Sequence, residues 1–425
     1  MPSIFIEFCW KTHTELDIIW IYKRTIWVLF MSSKADRKTV LITTIYLKEF
    51  AGSELNCLSL AKRFIQLGYD VEVATFEYGE PISSVFQEAG IHVTEIPAQE
   101  LSHIHYDLIW AHHAMIFNYL FFEKEISAER IILSSLSSFE PYEQLPLCAN
   151  ACSLCLANSY ETRDQLVIEG VNREHIIVFP NYVDDEWLQY PVNPQNRTTP
   201  AKIAIVSNHI PEELLETKQL LEKAGYQVVI YGLGHNVVMI EPKILSKYDL
   251  VITIGKTVQF SMAIQTPVYC YDIHGGPGYL TKENLEKAAY MNFSGRGFAH
   301  KTAQEIAKEV LNGYKENLKM LPVLLEYVQT HSILEKNMDV VLERVFASPV
   351  LDCSSIRQQY ANSRRTNQAL TRLFFRNRAK RKYIAELEEK CRIERDIDAI
   401  YNSTSWRVTA PFRKISNFIH NLFHH

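Results

Sequence analysis

Short apolar runs rich in Val, Ile and Leu alternate with segments of helical periodicity along most of this chain, and no other feature restricts its fold as much. Residues 39–46, 70–76, 91–96, 107–111, 130–134, 155–158 and 176–179 read as strands. Helical segments lie between them. One follows Glu54, with Leu55, Leu58, Ala61 and Phe64 at apolar positions and Gly68 at its end; another spans 160–169. Strands that are apolar along their whole length and joined by helices imply a parallel sheet covered on both faces. At 191–200 the composition changes to that of a linker, PVNPQNRTTP. The alternation then restarts with strand 202–207, helix 212–224, strands 227–231 and 250–254, helix 258–264, strand 268–271 and helix 302–314. The expected architecture is α/β, with two facing Rossmann-like doubly wound domains at 38–190 and 201–347. An extension at 1–37 precedes them, and a basic helical tail at 350–425 follows.

Length and composition agree with this division. A chain of 425 residues exceeds one ordinary core, and 47% hydrophobic with 22% charged residues suits a globular protein. The net charge of −5 argues against a general nucleic-acid binder. It conceals an asymmetry: residues 354–425 hold 15 Lys and Arg against 6 Asp and Glu, a surplus of 9, which leaves −14 on the rest. Eight cysteines are scattered, with Cys148, Cys152 and Cys155 clustered at a spacing that fits no common zinc pattern. Buried free thiols in a reducing, cytoplasmic compartment are expected. The apolar run 18–30 is split by Lys23 and Arg24 and is too short to span a bilayer, so it reads as an upstream or peripheral segment. The segment Trp406–Phe423 mixes aromatic and basic residues. It suits a headgroup region at the inner face of a plasma membrane, or packing on the body or on a second copy in a homo-oligomer.

The candidate site centres on 248–297, where a strand, a polar turn, a helix, a second strand and a glycine-rich stretch follow one another. Ligands in open α/β sheets sit at the carboxyl ends of the strands, and helix starts favour anions. Gly255, Lys256 and Thr257 occupy such a turn, with Lys256 offering a point charge to a phosphate and Thr257 a cap. The alternative is a solvated lysine. Gly232 and Gly234 could admit a nucleotide to the backbone, and His274, Gly275 and Gly276 open a stretch expected to be a loop near a ligand. Arg296 is a second candidate for a phosphate contact. In the first domain, Gly52 and Ser53 stand at a βα turn suited to a diphosphate, or to a plain turn with Ser53 as N-cap. His112 and His113 leave a strand on the cleft side. One could act as a base or hydrogen-bond a ligand, or both could cap and pack.

The run AGSELNCLSLAKRFIQLGYDVEVAT, together with NSYETRDQLVIEGVNREHIIVFPNYVDDEWL, resembles family-four-type glycosyltransferases of the two-Rossmann-domain (GT-B) superfamily. Ser159, Gly170, Asn181, Val183 and Asp184 match in the second run. YDIHGGPGYLTKENLEKAAYMNFSGRG and STSWRVTAPFR resemble bacterial surface-polysaccharide glycosyltransferases. The resemblance implies hexosyl transfer, with retention, from a nucleotide sugar held by the second domain to a lipid-linked or surface-glycan acceptor held by the first. One departure stands out. Anchoring on Pro267-Val268 puts Ile252 and Phe260 where the family carries two glutamates. That leaves room for a non-catalytic glycan- or nucleotide-binding partner, and a nucleotide-sugar epimerase shares the architecture. No paired-aspartate motif lies near the cleft strands, so a metal-independent reaction without a cofactor is expected, its leaving diphosphate met by protein cations and helix ends.

Overall fold

The structure, a computed structural model, describes residues 37–190, 199–406 and Thr409. The extension before residue 37, most of the linker and most of the aromatic tail lie outside the described residues. Residues up to Arg364 form one compact unit and those from Arg365 a second.

The first unit holds two α/β lobes. In the first, β1 (Thr39–Leu47), β2 (Asp70–Tyr78), β3 (His92–Glu95), β4 (His105–His112), β5 (Ser127–Ser135), β6 (Leu154–Ala157) and β7 (Ile176–Val178) form one sheet. Its order is β3-β2-β1-β4-β5-β6-β7, with every pair parallel. Val40, Leu41 and Ile42 on β1 are all fully buried, because helices cover both faces and leave no wet side for alternation. The helix Gly52–Gln66 sets Cys57, Leu60, Ala61 and Phe64 against the sheet, and Phe64 meets the Trp110 ring edge-on at 5.9 Å. Gly68, at φ 85°, ends it in the left-handed conformation that glycine adopts without strain.

In the second lobe β8 (Lys202–Val206), β9 (Gln227–Tyr231), β10 (Leu250–Thr253), β11 (Val268–Asp272) and β12 (Gly275–Tyr279) run in the order β12-β11-β10-β8-β9. β10 is central and buried, flanked by parallel β8 and β11. The glycine-rich stretch expected as a loop is instead β12, an antiparallel edge strand on β11. Its glycines answer to backbone packing: a Cβ on Gly276 would lie 2.0 Å from the Cys270 carbonyl oxygen, and one on Gly275 2.7 Å from that of Ala299. An edge position also tolerates Pro277.

The chain crosses between the lobes twice, and the crossings are tied together. Val183 N–H donates to the Ser332 carbonyl at 2.8 Å, and Leu334 N–H to the Val183 carbonyl at 3.2 Å. Beyond the second crossing, Leu334, Met338, Val341, Leu342 and Val345 enter the core of the first lobe. The domain boundary drawn at 347 therefore differs from the packing: the helix Leu334–Ala347 belongs to the first lobe, and Leu351 N–H bonds to the Glu129 carbonyl at 3.0 Å behind it. The second unit is occupied by most of one helix, Ser363–Asn402. Among the described residues no helix is long and apolar enough to cross a membrane.

Candidate functional site

Both sheets point the carboxyl ends of their strands at a cleft between the lobes, with a cavity of about 300 Å³. The first lobe contributes Glu49, Phe50 and Gly52, where β1 gives way to its helix; the second contributes the exits of β8 to β11. Of the expected residues, Gly52, Gly232, Lys256, Thr257 and His274 line this cavity.

Lys256 is the first residue of the helix Lys256–Ala263, whose N-cap is Gly255. Gly255 takes φ 62° and ψ −137°, a conformation costly for any side chain, and thereby aims the helix start at the cleft. The cap is thus Gly255 and not Thr257, which is the second residue of the helix. The Lys256 Nζ crosses to the first lobe, donating to Asn56 Oδ1 at 2.7 Å and lying 4.3 Å from the Tyr182 ring centre. Removal from water pushes its ammonium down to about 8, opposed by the attraction of Asp184. Behind it Phe260 stacks on Trp187 at 4.0 Å with 5° between the planes. The position where the resemblance calls for a carboxylate is therefore part of an apolar core.

A carboxylate that the sequence reading passed over stands nearby. Asp272 ends β11 and is only 3% exposed, yet lines the cavity. Its Oδ1 accepts the Ile273 N–H at 2.8 Å. Burial raises its carboxyl to about 6, against the lowering effect of bonds from Ser207 and the Ile273 backbone. Gly232 shapes the same wall, since a Cβ there would fall 1.8 Å from the Ser207 carbonyl oxygen. Gly234 meets no such neighbour and does not line the cavity.

The two histidines have opposite environments. His113 takes φ 64°, and its Nδ1 accepts the Ile45 N–H at 3.1 Å, which places the ring proton on Nε2. Nε2 meets Glu143 Oε1 at 3.1 Å, while Glu143 Oε2 accepts the Leu136 N–H at 2.7 Å. Glu143 has its carboxyl held below the usual range, because the hydrogen bonds from His113 and the Leu136 backbone outweigh burial. A ring so engaged positions loops and has no free nitrogen for a substrate. His112 is 1% exposed, and neither ring nitrogen has a partner among the described residues. It lines a small cavity with Asn56, Ser134, Asn181 and Tyr182, on the first-lobe side of Lys256. Burial pushes it down to about 4, so it is a neutral hydrogen-bonding group and not a base matched to neutral pH.

The remaining expected residues serve the scaffold. Ser53 donates to Glu54 Oε2 at 2.8 Å, and Ala51, without a side-chain cap, is the N-cap there. Arg296 grips Glu161 of the first lobe through Nε at 3.2 Å and through Nη2, with Phe139 under its guanidinium at 5.0 Å. Tyr290 donates to Asp164 at 2.7 Å, and Asn181 to Asn292 at 2.9 Å, along the same seam. Cys148, Cys152 and Cys155 are buried free thiols. Asn56, Tyr182, Asp272 and Glu143 are the residues that sequence reasoning missed. Asn56 carried a usable signal, one helical turn beyond Gly52; Asp272 carried another as the last residue of a buried strand.

Neither a protein-family profile nor a curated protein sequence matches the chain. Solved structures do resemble it. Anabaena Alr3699/HepE in complex with UDP and glucose matches 73% of this chain and 100% of its own, at TM-score 0.52 and 14% identity. A glycosyltransferase from Rickettsia africae ESF-5 covers 74% and 100% at TM-score 0.48 and 13% identity. UDP-GlcNAc 2-epimerase from Neisseria meningitidis, bound to UDP-GlcNAc, covers 72% and 99% at TM-score 0.44 and 15% identity. The first of these carries the fold comparison: the two lobes and their cleft have the GT-B arrangement.

Proposed function

We propose that this chain is a glycosyltransferase that moves a hexosyl group from a nucleotide sugar onto a lipid-linked or surface-polysaccharide acceptor. Lys256 is the observation that carries the reading. It is a largely desolvated cation at a helix start, in a cleft bounded by two sets of strand ends. A nucleoside diphosphate leaves with negative charge, and the ammonium, the helix start and the excluded water lower its energy together. Asp272 is the acceptor group for a ribose or sugar diol. His112, neutral and unpartnered, faces the small cavity beside Asn56 and not the cleft itself, so its hydrogen bond to the sugar requires that cavity to open onto the cleft. Retention of the anomeric configuration is part of the proposal and rests on the resemblance of the sequence runs.

The test is a thermal-shift panel of nucleotide sugars on the full chain, followed by product analysis with the best binder. Release of the nucleoside diphosphate with a glycosylated acceptor supports transfer, and the anomeric coupling of the product reads its stereochemistry. Binding without turnover assigns the cleft to a non-catalytic partner in polysaccharide assembly. Isomerised nucleotide sugar with its diphosphate intact assigns it to an epimerase. A protein shifted by no nucleotide or nucleotide sugar refutes both the transferase reading and its relatives.

A further inference from the structure

The helix Ser363–Asn402 runs for 40 residues, about 60 Å, and its sequence is arranged for a partner. Thr371 and Phe374 near its start are buried, but the length beyond them is polar on most sides, a marginal structure in water. Along a seven-residue repeat, Leu370, Leu373, Ile384, Leu387, Cys391 and Tyr401 fall on one seam, interrupted by Asn377, Lys380, Glu394 and Asp398. The five large members of that seam are between 41% and 56% exposed, and Cys391 is exposed too. Charge is segregated along the axis. Residues 363–382 carry 8 Lys and Arg and no acid, whereas 383–402 carry 6 Asp and Glu against 3 Lys and Arg. This polarity opposes the helix dipole, which favours acids at the amino end and bases at the carboxyl end, so it works against the isolated helix.

We propose that this helix pairs with its counterpart in a second copy of the chain, antiparallel, about an axis between Ile384 and Leu387. That pairing sets the basic half of each copy against the acidic half of the other, whereas a parallel pair would face eight cations with eight. It also turns the two helix dipoles head to tail. Ile384 of one copy packs on Leu387 of the other at the centre, Leu370 meets Tyr401 at each end, and Lys380 faces Cys391. Between them Leu373 meets Asp398 and Asn377 meets Glu394, and polar layers of this kind fix register at a cost in stability. This register keeps Asn377, Lys380, Glu394 and Asp398 away from the central Ile384–Leu387 pair and sets Asn377 and Asp398 beside residues of the other copy's opposite half.

Size-exclusion chromatography with light scattering on the full chain should give twice the 49.2 kDa of the monomer. Leu387→Lys should halve that mass without changing the thermal midpoint of the first unit. Lys380→Cys should form an interchain disulfide with Cys391 under mild oxidation, and that link should vanish when Cys391→Ser is added. A wild-type link from Cys391 to Cys391 would show a parallel pair and overturn the proposal. So would a chain that stays monomeric at micromolar concentration, including one that instead binds anionic phosphatidylglycerol vesicles through this helix.

Discussion

At the exits of β4 and β5 in the first lobe, His113 commits one ring nitrogen to Ile45 and the other to Glu143, and Glu143 commits its second oxygen to Leu136. At the exits of β10 and β11 in the second lobe, Lys256 reaches across for a single amide oxygen, and Asp272 lies in the cavity wall with its carboxyl raised by burial. Both regions hold ionisable groups away from water, and they differ in whether neighbours complete the hydrogen bonding. A completed network rigidifies, because any change leaves an unpaired buried charge. An incomplete one stores a cost that a ligand can relieve. The contrast also separates two neighbours in sequence: His113 belongs to the completed kind, and His112 to the incomplete kind.

The largest effect should come from breaking the completed network. His113→Ala leaves Glu143 buried and unpaired, and should cost about 3–5 kcal/mol in chemical denaturation. A loss under 1 kcal/mol would show that water replaces the ring and that the two lobes do not differ as described. Next comes Lys256→Met, which should lower turnover by about 10²–10³-fold, as removal of one charge-stabilising donor does. Because burial disfavours the charged amine, the same substitution should raise the thermal midpoint at pH 7. Retained turnover would reduce Lys256 to a strut between the lobes, held by Asn56 and Tyr182.

Much of this arrangement was legible in the sequence, for local reasons. Strands buried on both faces leave an apolar run whatever their neighbours are, so β1, β4, β10 and β11 showed through, and with them the residues at their exits. What was hidden depends on distant partners. Arg296 looked free for a phosphate because Glu161 lies 135 residues away. The helix Leu334–Ala347 shows an apolar face in its own sequence, but nothing local says that the first lobe receives it. The stretch from Gly275 to Tyr279 has the composition of a loop, and pairing with β11 overrides that propensity. Phe260 in place of a glutamate was visible, whereas its stacking on Trp187 was not.

The smallest effect sharpens the comparison most, since it sets one group of each lobe against the other in a single pH profile. His112 titrates near 4 when folded against an ordinary 6.5, so the unfolded chain binds its proton more readily. Its contribution to stability is full above pH 6.5 and is lost as pH falls toward 4. Asp272 titrates near 6 against an ordinary 3.8, so the folded chain binds that proton more readily. Its penalty is complete above pH 6 and disappears as pH falls toward 3.8. Each amounts to at most about 3 kcal/mol, and the signs oppose, so between pH 4 and 6 the two nearly cancel in the wild type. Asp272→Asn should stabilise the protein at pH 7 and steepen its acid sensitivity, while weakening nucleotide binding about tenfold. His112→Gln should do the reverse to the slope. The double variant should return to the wild-type slope, measured as denaturation midpoints from pH 4 to 7. Parallel profiles for all four proteins would mean that neither group is held away from water, and the incomplete network that distinguishes the cleft from its scaffold would not exist.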